Sequence, residues 1–370
     1  MSAGGQDGRG MIRRITVLSN LRLSRLRYLT PFLLLAGCAM RDPPAPRPPA
    51  IWAADGRLVP PDTVLRLPDG TRVPTRIWPA RGRVRAVMLA LHGFDDSRDA
   101  WEFAAPALVA QGITLYAPDL RGFGGMADRG LWAGTDQMVA DARNEALQIA
   151  RRHPGVPLYL MGESMGGAIL TCLMARPDAP PVAGTILLAP AVWKLGAVPE
   201  TVLRLLAATA PDWRLTGHEL PVHVVAGDDM AAMRRLYFDP LTLRASRMRA
   251  VAGLAALMRQ AAEAAPRLHG PTMVIYGGHD QLVPPPAMAA LWRNLPPGTR
   301  RDYIPQGYHL LLRGRSRQAA TADIAQWITD PDRPLPSGGD IAAAAWQALP
   351  HDGSDAPLPI LAPLEALPGK

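Results

Sequence analysis

Two cysteines in 370 residues leave no disulfide framework to staple the chain, and no metal-ligand cluster accompanies them. Long apolar runs are also missing. The apolar stretch Leu29 to Gly37 is far shorter than the ~20 residues of a membrane-spanning helix. A basic excess that would favour nucleic acid is missing from most of the chain. The formal net charge is +8, but residues 1–37 hold six arginines and one aspartate. Without that segment the net charge is +3, so nucleic-acid binding is unsupported. Apolar residues, by contrast, make up 48% of the chain, enough for a sizeable core. The 39 prolines crowd at 43–49 and again from 331 onward, which marks both stretches as flexible rather than packed.

The N-terminal segment reads as an export signal. Arg13, Arg14, Arg22, Arg25 and Arg27 precede the short apolar stretch, the order of a secretory signal. Met11 would begin a better-proportioned signal than Met1. The stretch ends in Leu35-Ala36-Gly37-Cys38, which resembles a bacterial lipobox. That resemblance implies cleavage before Cys38 and lipidation of its thiol. Residues 1–37 are then the signal and 38–60 a Pro-rich linker. The expected location is the cell envelope, anchored to a membrane surface by lipid, or soluble in the periplasm or medium if Cys38 stays unmodified.

From Thr63 to Trp78, two strand-like runs flank Asp69-Gly70, a hairpin signal. Strands and helices then alternate: strand 85–91, helix 101–110, strand 113–117, helix 136–152, strand 157–161, a helix after Ser164, and strand 184–189. Such alternation predicts an α/β fold with a mostly parallel sheet covered on both faces. The pattern breaks between about 191 and 266. There Met248, Val251, Leu254, Leu257, Met258 and Ala261 recur at helical spacing, so a helical cap insertion is expected within a domain spanning 61–330. Residues 331–370 show no period and are expected to be disordered.

The chemistry is concentrated at Leu158-Tyr-Leu-Met-Gly-Glu-Ser164-Met-Gly-Gly167. An apolar strand runs into Gly-x-Ser-x-Gly and then a small-residue helix start, the context of a nucleophile elbow. A serine on so sharp a turn forces its neighbours against other backbone, and Gly162, Gly166 and Gly167 relieve this. Such a serine needs a base, an acid to orient the base, and two N–H groups for an oxyanion. In this elbow context the order is Ser, then acid, then His. His309 follows a strand-like piece, Arg301 to Ile304, and a Pro305/Gly307 break, where a catalytic base belongs. His92 lies on the wrong side of the serine, and His279 directly precedes an acid candidate. Two segments carry an apolar run, glycine and aspartate: Val224 to Asp228 and Met273 to Asp280. Asp280 leaves one strand before His309 and Asp228 leaves an extra one, so Asp280 is preferred. The oxyanion N–H groups are assigned to Met165 and to Phe94, which follows the strand ending at Leu91-His92-Gly93. Cys172 lies in the apolar helix behind the serine and is assigned to the core.

These segments, with Tyr116-Ala-Pro-Asp119-Leu-Arg121-Gly122-Phe-Gly124 and Asp239-Pro240-Leu241, resemble the serine α/β-hydrolases. Within them the similarity is to the monoglyceride lipase / lysophospholipase group, over roughly residues 60–330. One departure is His279, where such families often carry a small or acidic residue. The resemblance implies hydrolysis of a single-acyl lipid through an acyl-serine, with no cofactor and no protein partner. The alternatives are a carboxylesterase for small soluble esters and a catalytically idle envelope lipoprotein that binds acyl chains.

Overall fold

Several segments are predominantly apolar and buried at every position, as strands covered on both faces must be: β3 (Ala86–Leu91), β4 (Ile113–Pro118), β6 (Gly184–Leu188) and β9 (Thr272–Gly277). In the computed structural model, which describes residues 43–216 and 224–349, they join β1 (Thr63–Arg66), β2 (Arg72–Trp78), β5 (Leu158–Glu163) and β10 (Arg300–Ile304) in one eight-stranded sheet. The order is β1-β2-β4-β3-β5-β6-β9-β10. The β1–β2 hairpin and its β2–β4 junction are antiparallel, and every other pairing is parallel. The signal segment 1–37 and Cys38 lie outside the described residues.

The two faces of β3 show how the layers form. Val87, Leu89 and Leu91 enter one apolar core, while Ala86, Met88 and Ala90 enter the other. The first core is filled by α2 (Thr135–Arg152) and α3 (Met165–Met174), and the second by α1 (Ala105–Ala110) and residues after β10. Those residues include α8 (Arg317–Thr329), whose Ile324 and Trp327 cover the sheet.

The chain after β6 leaves the sheet for an insertion. It contains α4 (Ala197–Thr209), a short ribbon of β7 (Arg214–Leu215) and β8 (Ser246–Arg247), and α5 (Met230–Phe238). The following helix, α6 (Met248–Ala264), packs both on α4 of the insertion and on α3 of the body. Its Leu257, Met258 and Ala261 join Ile169, Leu170 and Leu173 of α3 in one core, which is why its apolar stripe is so regular. Val224 to Ala226, expected as a strand, is irregular, and both valines are exposed.

The described parts of both Pro-rich flanks, 43–60 and 331–349, carry helical turns. In the expected linker, a 3-10 turn over Ala50–Gly56 packs on α5, with Trp52 6.5 Å from Phe238 and Arg234 stacked over Trp52. In the expected disordered tail, residues up to 349 are described and include α9 (Gly339–Gln347). Trp346 stacks on Tyr303 of β10 and meets Trp292 of α7 (Pro285–Asn294) edge-on at 4.9 Å. One buried tryptophan supplies enough apolar area to hold a short helix, whatever the average composition around it.

Beneath α9 sits an acid pair. Asp302 of β10 is fully buried, and among the described residues neither of its oxygens meets a donor. Gly339 presses against it: a Cβ there would lie 1.8 Å from the Asp302 carboxyl. Asp323 accepts from the N–H of Ser337 at 2.9 Å and bonds its hydroxyl. Burial first, and the neighbouring Asp323 second, push Asp302 up to about 8 from its ordinary 3.8. Asp302 therefore keeps its proton on folding and shares it with Asp323. The unfolded chain loses that proton near pH 4 and the folded chain only near pH 8, so this site lowers stability progressively across that window. Asp302→Asn, which keeps a donor for Asp323, should be more thermostable than wild type by a margin that grows from pH 5 to pH 8. Melting curves at several pH values check this.

Candidate active site

Ser164 sits between the end of β5 and the start of α3 with φ 53° and ψ −111°, a conformation that costs a non-glycine residue about 1–3 kcal/mol. Its surroundings leave no alternative. Its N–H donates to Leu188 of β6, and its carbonyl accepts from Ala168 and Ala191. The turn is tight because the flanking residues have no side chains. A Cβ on Gly166 would lie 2.2 Å from the carbonyl oxygen of Leu91, and one on Gly162 would lie 2.5 Å from the carbonyl carbon of Gly166. At Gly166 the predicted close approach is a contact of α3 with the end of β3, and at Gly162 a contact of β5 with the first turn of α3.

His309 and Asp280 come together from loops after neighbouring strands. His309 Nδ1 donates to Asp280 Oδ2 at 2.9 Å, and both side chains are buried. The other carboxylate oxygen accepts from the N–H groups of Leu282 at 2.7 Å and Val283 at 2.9 Å. Asp280 is thus fixed in position before it fixes the imidazole. Asp228 is elsewhere employed: its carboxylate accepts from the N–H of Arg315 at 2.8 Å. Ser164 and His309 open into one cavity of about 330 Å³, walled by Phe94, Trp193, Leu236, Leu254, Met258 and Leu310, among others.

Met165 is the first residue of α3, so its N–H has no acceptor within the helix and faces the helix N-terminal field. Phe94 lies across the cavity on the loop after β3, next to Asp95, which adopts a φ of 61°. That loop is braced by His92. Its Nε2 accepts from the N–H of Leu120 at 3.0 Å, so Nδ1 carries the proton and donates to the carbonyl of Gly93 at 2.8 Å. Burial lowers its pKa and keeps it neutral. His92, set aside as a base, works as a strut for the Phe94 loop.

The sequence reading missed the floor of the cavity. Arg313 Nη2 donates to Glu163 at 2.7 Å and to Asp96 at 2.6 Å, with all three side chains nearly buried. Burial opposes the charge on Arg313, but its two carboxylates outweigh that and raise its pKa. Burial also raises Glu163, opposed by Arg313. Glu163 is the residue before Ser164 and Asp96 lies two after Phe94. One guanidinium therefore ties the elbow to the Phe94 loop. No spacing rule links positions 96, 163 and 313; an arginine after the apolar run Leu310 to Leu312 was the only signal. Half of the network is costlier than none. Arg313→Met should lower stability by about 3–5 kcal/mol, the penalty of stranded buried carboxylates. Arg313→Lys should recover part of it. Urea denaturation of the two variants checks this.

Residues 82–315 match the family model described as Serine aminopeptidase, S33. The chain belongs to this family, a class of serine hydrolases with the α/β-hydrolase fold. Within it the chain falls in the monoacylglycerol-lipase-like group of serine ester hydrolases. It is 26% identical to the monoacylglycerol lipase of Mycolicibacterium smegmatis, over 70% of this chain and 93% of that one. It is 28% identical to the human monoglyceride lipase, over 58% of this chain and 71% of that one. Among solved structures, a soluble variant of the monoglyceride lipase of Saccharomyces cerevisiae superposes with a TM-score of 0.62 at 19% identity. That superposition covers 77% of this chain and 98% of the yeast protein.

Proposed function

We propose that this protein hydrolyses single-acyl lipids, monoacylglycerol or lysophospholipid, through an acyl-serine intermediate on Ser164. The observation that carries the reading is the Asp280–His309 hydrogen bond beside a serine held on a strained elbow. His309 Nε2 takes the proton as Ser164 Oγ bonds to the acyl carbon. The N–H groups of Phe94 and Met165 receive the oxyanion. On collapse, His309 returns the proton to the departing alcohol, leaving acyl-Ser164. Water then attacks, giving a proton to His309, which passes it to Ser164 Oγ as the acyl carbon–Oγ bond breaks and the carboxylic acid leaves. Asp280 holds the Nδ1–H tautomer and stabilises the imidazolium.

The cavity wall supports an aliphatic ester over a peptide with a free α-amine, despite the aminopeptidase in the family description. A peptide of that kind calls for a carboxylate facing the ammonium. Here Asp96 and Glu163 are engaged by Arg313, and Asp95 by the hydroxyl of Ser246. The remaining wall is largely apolar. Ser164→Ala should lower kcat/KM for a monoacylglycerol by four or more orders of magnitude with the fold intact. Asp280→Asn should lose about 10⁴ in kcat by favouring the wrong tautomer, whereas Asp228→Asn should change turnover little. Steady-state kinetics on the three variants, with circular dichroism as the fold control, checks the assignment; reversed effects of the two aspartates would overturn it.

Attachment to a membrane through lipidated Cys38 is the second part of the proposal. No helix among the described residues is long and apolar enough to cross a membrane. Leu35-Ala36-Gly37-Cys38 supports an anchor instead, and buried acyl methylenes contribute about 0.8 kcal/mol each. Cys38→Ser should shift the protein from the membrane to the soluble fraction or leave the precursor uncleaved. Mass spectrometry of the mature N-terminus checks this.

A further inference from the structure

The cavity over Ser164 offers about 330 Å³. A second cavity of about 520 Å³ lies directly behind it, between α6, α7 and the chain after β6. The two share a wall. Trp193 lines both. Ala191 and Val283 face the first cavity, while their chain neighbours Val192 and Pro284 face the second.

One face of α6 connects the two cavities. Leu254 and Met258 line the cavity of Ser164, and Ala262 lines the second, four residues further on. Residues at i, i+4 and i+8 stack along one side of a helix. Eight residues at 1.5 Å rise span roughly 12 Å. The side chains shrink along this stripe, from leucine and methionine near the serine to alanine beyond Trp193. Across the groove, α7 also presents small residues, Ala287 and Ala290. Small residues on both walls are what leave the space open. The polar groups, Lys194 and Asn294, are exposed at the rim, and Lys194 is paired with Glu263.

We infer that this second groove takes the distal part of a long acyl chain whose carbonyl lies at Ser164, the chain running along α6 past Trp193. The inference rests on the acyl-ester reading of the Ser164 site. Its ligand is a saturated or unsaturated hydrocarbon tail, because among the described residues that line it the buried side chains are all apolar. Trp193 is the partition, and it sets how much of the chain the first cavity must hold alone.

Two alkyl fluorophosphonates test this, one of six carbons and one of sixteen, each carrying a diazirine at the chain end. Both phosphonylate the serine: the Ser164 Oγ–P bond forms, the P–F bond breaks, and fluoride leaves. After irradiation, peptide mapping locates the far end of each chain. The sixteen-carbon probe should crosslink within residues 259–267 or 284–294, and the six-carbon probe to residues around Leu254 and Met258. A sixteen-carbon probe that crosslinks to Met230–Phe238 of the insertion, or only to solvent, would overturn the groove assignment while leaving the serine site standing. Absence of any adduct on Ser164 would remove the site reading, and the groove with it.

Discussion

The contact of Gly166 with the backbone of Leu91 is the constraint from which the rest of the site follows. It lets α3 start hard against the end of β3, so the chain must turn within one residue, and that residue is Ser164 at φ 53°. The strain of that turn is repaid by the hydrogen bonds that lock Ser164 to Leu188, Ala168 and Ala191. The parallel order of β3, β5, β6 and β9 then brings their C-terminal ends side by side. The loops carrying Phe94, Ser164, the Trp193 segment and Asp280 all leave from that edge, and His309 arrives from the next strand, β10. A parallel sheet thereby gathers residues distant in sequence into one cavity.

Charge is used sparingly around this cavity but at full burial. Arg313 holds Glu163 and Asp96 together, and His92 holds the Gly93 carbonyl. Both devices join the elbow or the Phe94 loop to something rigid. The two donors proposed for the oxyanion are on separate segments, so their separation depends on such cross-links. Far from the serine, Asp323 of α8 accepts from Ser337 just before the terminal helix, while Asp302 of β10 is buried beside it at a cost in stability.

What could be read in the sequence was whatever depends on local rules. Strand burial, the hairpin at Asp69-Gly70 and the elbow glycines each follow from the residues present. The pairing of Asp280 with His309 came from counting strands between them, and the structure brings those two side chains together. What escaped was set by partners far along the chain. Glu163, Asp96 and Arg313 are 67 and 150 residues apart and have no periodicity to betray them. The stripe on α6 was visible, but not that the helix would pack on both α3 and α4. Trp346 sits in a stretch whose composition resembles disorder, yet its ring finds Tyr303 and Trp292. The groove behind Trp193 arises from alanines, the residues that carry least signal.

The central claim is that a single serine on the elbow carries the covalent step. The most direct measurement is titration of the purified protein with a fluorophosphonate, followed by intact-mass and peptide analysis alongside residual ester hydrolysis. The account predicts one phosphonyl group per chain, on Ser164, with activity lost in proportion to the modified fraction. Ester hydrolysis that persists after Ser164 is fully modified, or inactivation by modification of another residue with Ser164 untouched, would contradict it.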